Sequence, residues 1–205
     1  MTGRSPWEVA LGSSADRLHP RLRAYTAAVP AGSLGRGSGT FEFAGAPNPV
    51  LRRLLAPLSP AGILHPAWER DVPFEIVNRP GPGPSVSAER TLRFSTGAWT
   101  MRDRVTIDDR GLADHLGAGG ILRVGLRATV RDGALRLSST TLAVRLARWW
   151  VRVPRPLAPS LRLEERYDDR EGRQRVHLRL TAPLLGVLYE YRGGFTYAIE
   201  GAPPA

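Results

Sequence analysis

The chain of 205 residues carries 29 basic against 19 acidic side chains, a net charge of +10, with 42% hydrophobic residues and no cysteine. Those figures suit one globular domain and exclude a disordered chain, a disulfide scaffold, a thiol nucleophile and a thiolate zinc site. No apolar run reaches the roughly 18 to 20 residues of a membrane-spanning helix, and Met1–Ala10 is too polar for a secretory leader, so the reading is a cytoplasmic protein. Every basic residue is arginine, which with the high Ala, Gly and Pro content points to a GC-rich bacterial genome. The arginines run from Arg4 to Arg192 without concentrating on one element, so no specific nucleic-acid surface is expected.

Residues 1–14 read as an irregular extension. Asp16 suits the cap of a short helix through Leu18, Leu22 and Tyr25, with Pro20 in its first turn. The glycine-rich stretch Gly32–Gly39 reads as a turn, because a phosphate-cradling loop would follow a strand and open a helix. It leads into a short strand, Thr40–Phe43, with Phe41 and Phe43 on one face. Asn48 predicts the cap of a helix with Pro49 at its first position and Val50, Leu51, Leu54, Leu55 and Leu58 along an apolar stripe.

From residue 67 the period becomes two. Trp68, Val72, Phe74 and Ile76 alternate with Glu69, Asp71 and Glu75, and the stiff loop Arg79–Pro84, unable to join a ladder, follows as a cover for a cavity mouth. Leu92 and Phe94 then Trp99, Met101, Val105 and Ile107 predict a hairpin through Thr96-Gly97. Leu122 to Val130 and Leu135 to Leu137 predict another through Asp132-Gly133, a strong hairpin signal, with a bulge at Ser138–Thr141. Leu161, Leu163, Glu165 and Tyr167 pair with Val176, Leu178 and Leu180, and Leu185–Ile199 supplies a last long strand. The expected architecture is mainly β (α+β): a curved antiparallel sheet or half-open barrel of about eight or nine strands with two short N-terminal helices. Residues 15–200 form the single domain and 201–205 a flexible tail.

The blocks Leu18-His-Pro-Arg21, Asn48–Gly62, Arg90-Thr-Leu-Arg-Phe94, Pro154–Ser160, Glu164–Tyr167 and Leu180–Gly193 resemble a bacterial family of domains of unknown function, numbered 4166, over nearly the whole chain. Gly194 stands where that family carries a tryptophan. The resemblance implies domain boundaries, bacterial origin and company with dehydrogenase-like domains; it assigns no site.

None of His19, His65, His115 and His177 stands at metal-ligand spacing to another, and no Gly-x-Ser-x-Gly elbow occurs, so no metal or cofactor is expected and hydrolase chemistry is unsupported. Carboxylates that break the alternation carry more chemistry. Asp103 lies on the Trp99–Ile107 apolar face and Glu165 between Leu163 and Tyr167, so both point inward, where a charge needs a partner; Arg70 and Arg90, also on apolar faces, are the expected ones. Such groups either close an internal ion pair or act in an apolar cavity as ligand anchors or acid–base catalysts. Asp103 and Glu165 are therefore the candidate catalytic residues, and Arg70, Arg90, Trp99, Tyr167, Tyr189 and Tyr191 the candidate ligand-binding ones. Trp149, Trp150, Arg148 and Arg152 make a basic aromatic cluster, a candidate surface for a membrane or an oxidoreductase partner, with one tryptophan on each face of its strand. The expected function is binding of a hydrophobic or amphipathic small molecule, a lipid or polyketide-like metabolite, within the curved sheet. The alternatives are a cofactor-independent isomerase or cyclase in the same cavity and a docking module.

Overall fold

Alternating side chains on so many consecutive strands leave one face of a sheet apolar along its whole length, and the sheet buries that face by closing on itself. The computed structural model describes residues 3–201. Short helices α1 (Pro6–Leu11) and α2 (Pro20–Thr26) precede β1 (Ser33–Gly45), and α3 (Pro49–Leu55) separates it from β2 (Trp68–Pro80). Then follow β3 (Ser85–Phe94), β4 (Gly97–Asp108), β5 (Gly111–Leu116), β6 (Leu122–Arg131), β7 (Ala134–Leu146), β8 (Trp149–Arg152), β9 (Ser160–Asp168), β10 (Arg173–Ala182) and β11 (Gly186–Gly201). Their order is β6-β5-β4-β3-β2-β1-β11-β10-β9-β7, and β7 pairs back onto β6, which closes a barrel of ten antiparallel strands with β8 as an extra strand on β7. The expected half-open sheet of eight or nine strands is thus corrected to a closed barrel.

The added barrel strand is β5, and the glycine stretch extends the short strand expected at Thr40–Phe43 into the long β1. Gly35, Gly37 and Gly39 are alternate residues of β1, not a turn, and a Cβ on them would overlap Tyr197, Ile76 and Phe195. Glycine here makes room for the Tyr197 and Phe195 side chains of β11 and Ile76 of β2, while the backbone keeps its ladder. A bulge at Glu42 then separates Phe41 from Phe43. Phe41 stacks on Phe74 in the core, whereas Phe43 turns outward against Trp68 and beneath the Arg192 guanidinium. The two do not share a face.

Both predicted hairpins form. Asp132 and Gly133 adopt φ of 52° and 74°, the doubly left-handed turn that matches strand twist. The bulge in β7 is present too, where Gly125 pairs with Thr141 and Leu126 with Ser139.

Both barrel ends are covered. At one end, α1 and α2 lie across β4, β5, β6 and β9 and bury Leu11, Leu18 and Leu22 against Val130, Leu135 and Leu137. Residues 6–11 are therefore helical, with Ser5 and Glu8 in a reciprocal cap, and the Ser5 hydroxyl donates to the Thr26 carbonyl at 2.6 Å, tying α1 to α2. His19, not Asp16, caps α2. At the other end, α3 buries Leu51 and Leu55 while Val50 and Leu54, expected on the same apolar stripe, stand exposed. The chain after α3 crosses the opening, held where Ala118 N–H donates to the Ala61 carbonyl at 2.9 Å. Of the expected tail, Gly201 ends β11 and residues 202–205 lie outside the described residues.

Candidate functional site

Inside the capped barrel the inward stripes do not meet completely. They leave a cavity of about 190 Å³ walled by leucines of β6, β7, β9 and β10, with Met101, Val105 and Leu116 opposite and Ile63 and Leu64 closing it at the α3 end. At the α1 end it is bordered by Trp7, Tyr25 and Arg90. These three residues and Val105 also line an outer cleft of about 440 Å³, between α1, the segment after α2 and the proline-rich β2–β3 loop. Cavity and cleft therefore share a thin wall, and the loop expected to cover a mouth forms one side of the cleft.

The polar residues of the interior gather at that wall. Ala88 pairs with Asp103 and Arg90 with Met101, so Arg90 and Asp103 are diagonal neighbours on one face and form an ion pair, with the Asp103 side chain 1% exposed. Val105 pairs with Asp114, which sets Asp114 beside them on β5. From the far wall comes Glu165, whose Oε2 accepts from Gln174 Nε2 at 3.2 Å. Asp103 Oδ2 and Asp114 Oδ1 are buried without a hydrogen-bond partner among the described residues.

Burial decides the protonation of this group. It raises Asp114 well above the carboxylate range, reinforced by Asp103. It raises Asp103 too, against the pull of Arg90, and lifts Glu165 to about 7 against Arg90 and the Gln174 hydrogen bond. Burial likewise raises Tyr25, Tyr189 and Tyr191, so all three remain neutral phenols. Arg90 would be lowered by burial, but the Asp103 charge outweighs this and keeps it protonated. The site thus sets one permanent cation beside carboxyl groups that burial makes harder to ionise, Glu165 at about 7 among them.

The Glu165 shift has a measurable consequence. The unfolded chain titrates this group near 4.5 and the barrel near 7, so between those values the native state holds more protons and stability falls as pH rises. Glu165→Gln removes that slope, and in urea unfolding the variant should gain on the wild-type chain by up to about 3 kcal/mol from below pH 4.5 to above pH 7. Parallel stability curves for the two would show that Glu165 titrates as an ordinary carboxyl.

Of the predicted ligand residues, Arg90, Tyr189 and Tyr191 line the cavity with Glu165, and Asp103 sits at the shared wall. Arg70 does not: left-handed Asp71 (φ 53°) breaks the alternation of β2 and leaves Arg70 exposed outside. Trp99 is a strut instead, its indole N–H donating to the Ser59 carbonyl at 3.0 Å to hold the chain over the α3 end. Tyr167 stacks on His19 at 4.8 Å beneath α2, away from the cavity. Glu165 meets Gln174 rather than an arginine. Both Trp149 and Trp150 are exposed, because β8 runs past the barrel rim and no core face remains for either. Asp114, Tyr25 and Gln174 were missed; only the alternation Leu112, Asp114, Leu116 between two glycines signalled the first of them. Among the described residues no cluster of ligating side chains suits a metal ion.

The family profile Domain of unknown function (DUF4166) matches residues 18–195. The chain is a DUF4166 protein. The match spans the barrel from before α2 to Phe195 in β11, so every strand residue that lines the cavity of the DUF4166 chain lies within it. No curated protein matches the sequence. No helix of the described DUF4166 residues is long and apolar enough to cross a membrane.

Proposed function

We propose that this DUF4166 barrel binds a hydrophobic or amphipathic small molecule, of lipid or polyketide-like character, with its apolar part in the inner cavity and its polar part at the Arg90–Asp103 wall. The observation that supports this reading is the leucine-walled void of about 190 Å³ beside buried, unpartnered carboxylate oxygens. Interiors are normally packed to crystal density, and an apolar void of about 150 Å³ suffices for a benzene-sized ligand. The adjoining cleft of about 440 Å³ leaves room for a longer molecule to extend outward past Tyr25.

Native mass spectrometry of the purified protein, with organic extraction, tests the reading. An apolar molecule at near one per chain is expected, and Leu178→Trp, which fills the cavity, should abolish its retention while the variant keeps a cooperative unfolding transition. A ligand-free chain that also fails to take up small aromatic probes would overturn it. A second reading, cofactor-independent isomerisation or cyclisation of the bound molecule, is supported by Glu165, a cavity-facing carboxyl at about 7, the range suited to proton transfer. Asp103 is less suited to that role because Arg90 holds it. If the second reading holds, Glu165→Gln loses about 10²- to 10⁴-fold in turnover of the extracted molecule and still retains it.

A further inference from the structure

Large apolar side chains left in water are the exception that asks for a cause once they gather in one place. Among the described residues, eleven large hydrophobics are exposed, and nine of them belong to the α3 end of the barrel: Val50 and Leu54 on α3, Leu146, Trp149, Trp150, Val151 and Leu157 on the β7–β9 connection, and Leu184 and Leu185 in the β10–β11 turn. Antiparallel order sets all three segments at the same rim, opposite α1 and α2. The exposure is substantial: Val50 at 74%, Leu54 at 65%, Trp149 at 65%. Leu184 is fully exposed and holds a left-handed φ of 64°, a conformation costly for any residue but glycine, so the turn presents a leucine where a glycine would be easier.

The segments that carry these side chains hold charge of one sign, while the rim carboxylate of Glu69, at the start of β2, is taken up by Ser95. From Gly133 to Leu163 the chain has no Asp or Glu but has Arg145, Arg148, Arg152 and Arg155 around β8, and from Phe43 to Trp68 it has no Asp or Glu but has Arg52 and Arg53. Among the described residues, Arg145, Arg148, Arg152 and Arg155 form no ion pair with a carboxylate; the Arg148 guanidinium instead lies over the Trp149 ring at 5.1 Å.

We infer that the α3 end is a membrane-docking surface for bilayers with anionic headgroups, in which Trp149, Leu184 and Leu54 enter the interface and the arginines meet phosphates. Separate apolar knobs on three segments whose only charged side chains are arginines match a soft interface of tails below and negative charge above. A protein partner would instead meet a continuous packed patch with a polar rim of both signs. The inference does not rest on the cavity reading, although the lid over that cavity lies at the same end.

Flotation of the full chain with phosphatidylcholine vesicles, with and without phosphatidylglycerol, tests it, together with tryptophan fluorescence and brominated-lipid quenching. Binding to anionic vesicles with a blue shift and quenching is expected, and much weaker binding to the neutral ones. Arg148→Gln with Arg152→Gln should reduce partitioning about fivefold for each charge removed. Trp149→Ser with Leu184→Ser should reduce it by about tenfold or more through lost apolar burial, with an unchanged melting temperature. Either of two results would overturn the inference: no flotation on anionic vesicles, or flotation that the Ser variants leave intact, which would mean adsorption through net charge alone. Concentration-dependent self-association lost in the Ser variants, without vesicle binding, would assign this end to a second copy of the chain and overturn it equally.

Discussion

Arg90→Met will destabilise the barrel by about 3 to 5 kcal/mol at neutral pH, the cost of leaving a buried carboxylate without its counter-charge. Arg90 is the cation that faces Asp103, and Asp103 has one oxygen on the guanidinium and the other already without a partner. Methionine keeps much of the side-chain volume, so the loss reports charge rather than packing. The carboxyl can escape only by taking a proton. Asp103 is already raised by burial against the pull of Arg90, and without that pull it rises further, so the penalty shrinks as pH falls. Arg90→Met with Asp103→Leu removes both halves of the pair and should recover most of the stability, since apolar replacement of a buried pair is often neutral or better. Urea midpoints of the two variants at mildly acidic and alkaline pH decide the matter; a small, pH-independent loss in the single variant would show that Arg90 does not compensate Asp103.

The second large effect is steric. A Cβ on Gly39 would overlap the Gly194 carbonyl oxygen and press on the backbone and Cβ of Phe195. Side chains can rotate away from an intruder, but the carbonyl belongs to the β1–β11 ladder and can move only by breaking it. Gly39→Ala should therefore cost about 3 kcal/mol or more, the upper part of the range for overpacking, and weaken amide-exchange protection along both strands. Gly201→Ala, whose Cβ meets nothing within 4 Å, is the matched control and should stay within about 0.5 kcal/mol of the parent. Equal stability of the two variants would place the β1–β11 seam further apart than described.

Strand positions from β2 to β11, β5 excepted, were legible because alternation of apolar and polar residues is a local property, and Asp132-Gly133 could hardly be anything but a tight turn. Closure was not legible. It depends on β5, which was not read as a strand, and on the first half of β1, whose inward Gly35, Gly37 and Gly39 carry no hydrophobic signal; their meaning lies in Tyr197, Ile76 and Phe195, residues distant in the chain. Arg70 and Phe43 were misplaced for a related reason, since a single left-handed residue or bulge reverses the faces and neither Asp71 nor Glu42 announces one. Within the site, Asp103, Glu165 and Arg90 could be found as polar breaks in apolar stripes. Tyr25 could not, because it reaches the cavity from a helix outside the barrel, and its neighbours there are set by how α2 packs.

The seam between β1 and β11 also governs how the molecule comes into being. Ser33 pairs with Gly201, so the first strand of the barrel waits while every other strand is made before it meets the last. Until β11 leaves the ribosome, β1 and β10 each present an unpaired edge, and the apolar stripes that will wall the cavity face water. The leucine-rich hairpins between them are local and free to form early, whereas closure of the ring is a single late event of long loop length. The nascent chain is thus most exposed to aggregation just before β11 emerges, and a truncation within β11 will yield an open sheet that associates through its edges rather than a slightly weaker barrel.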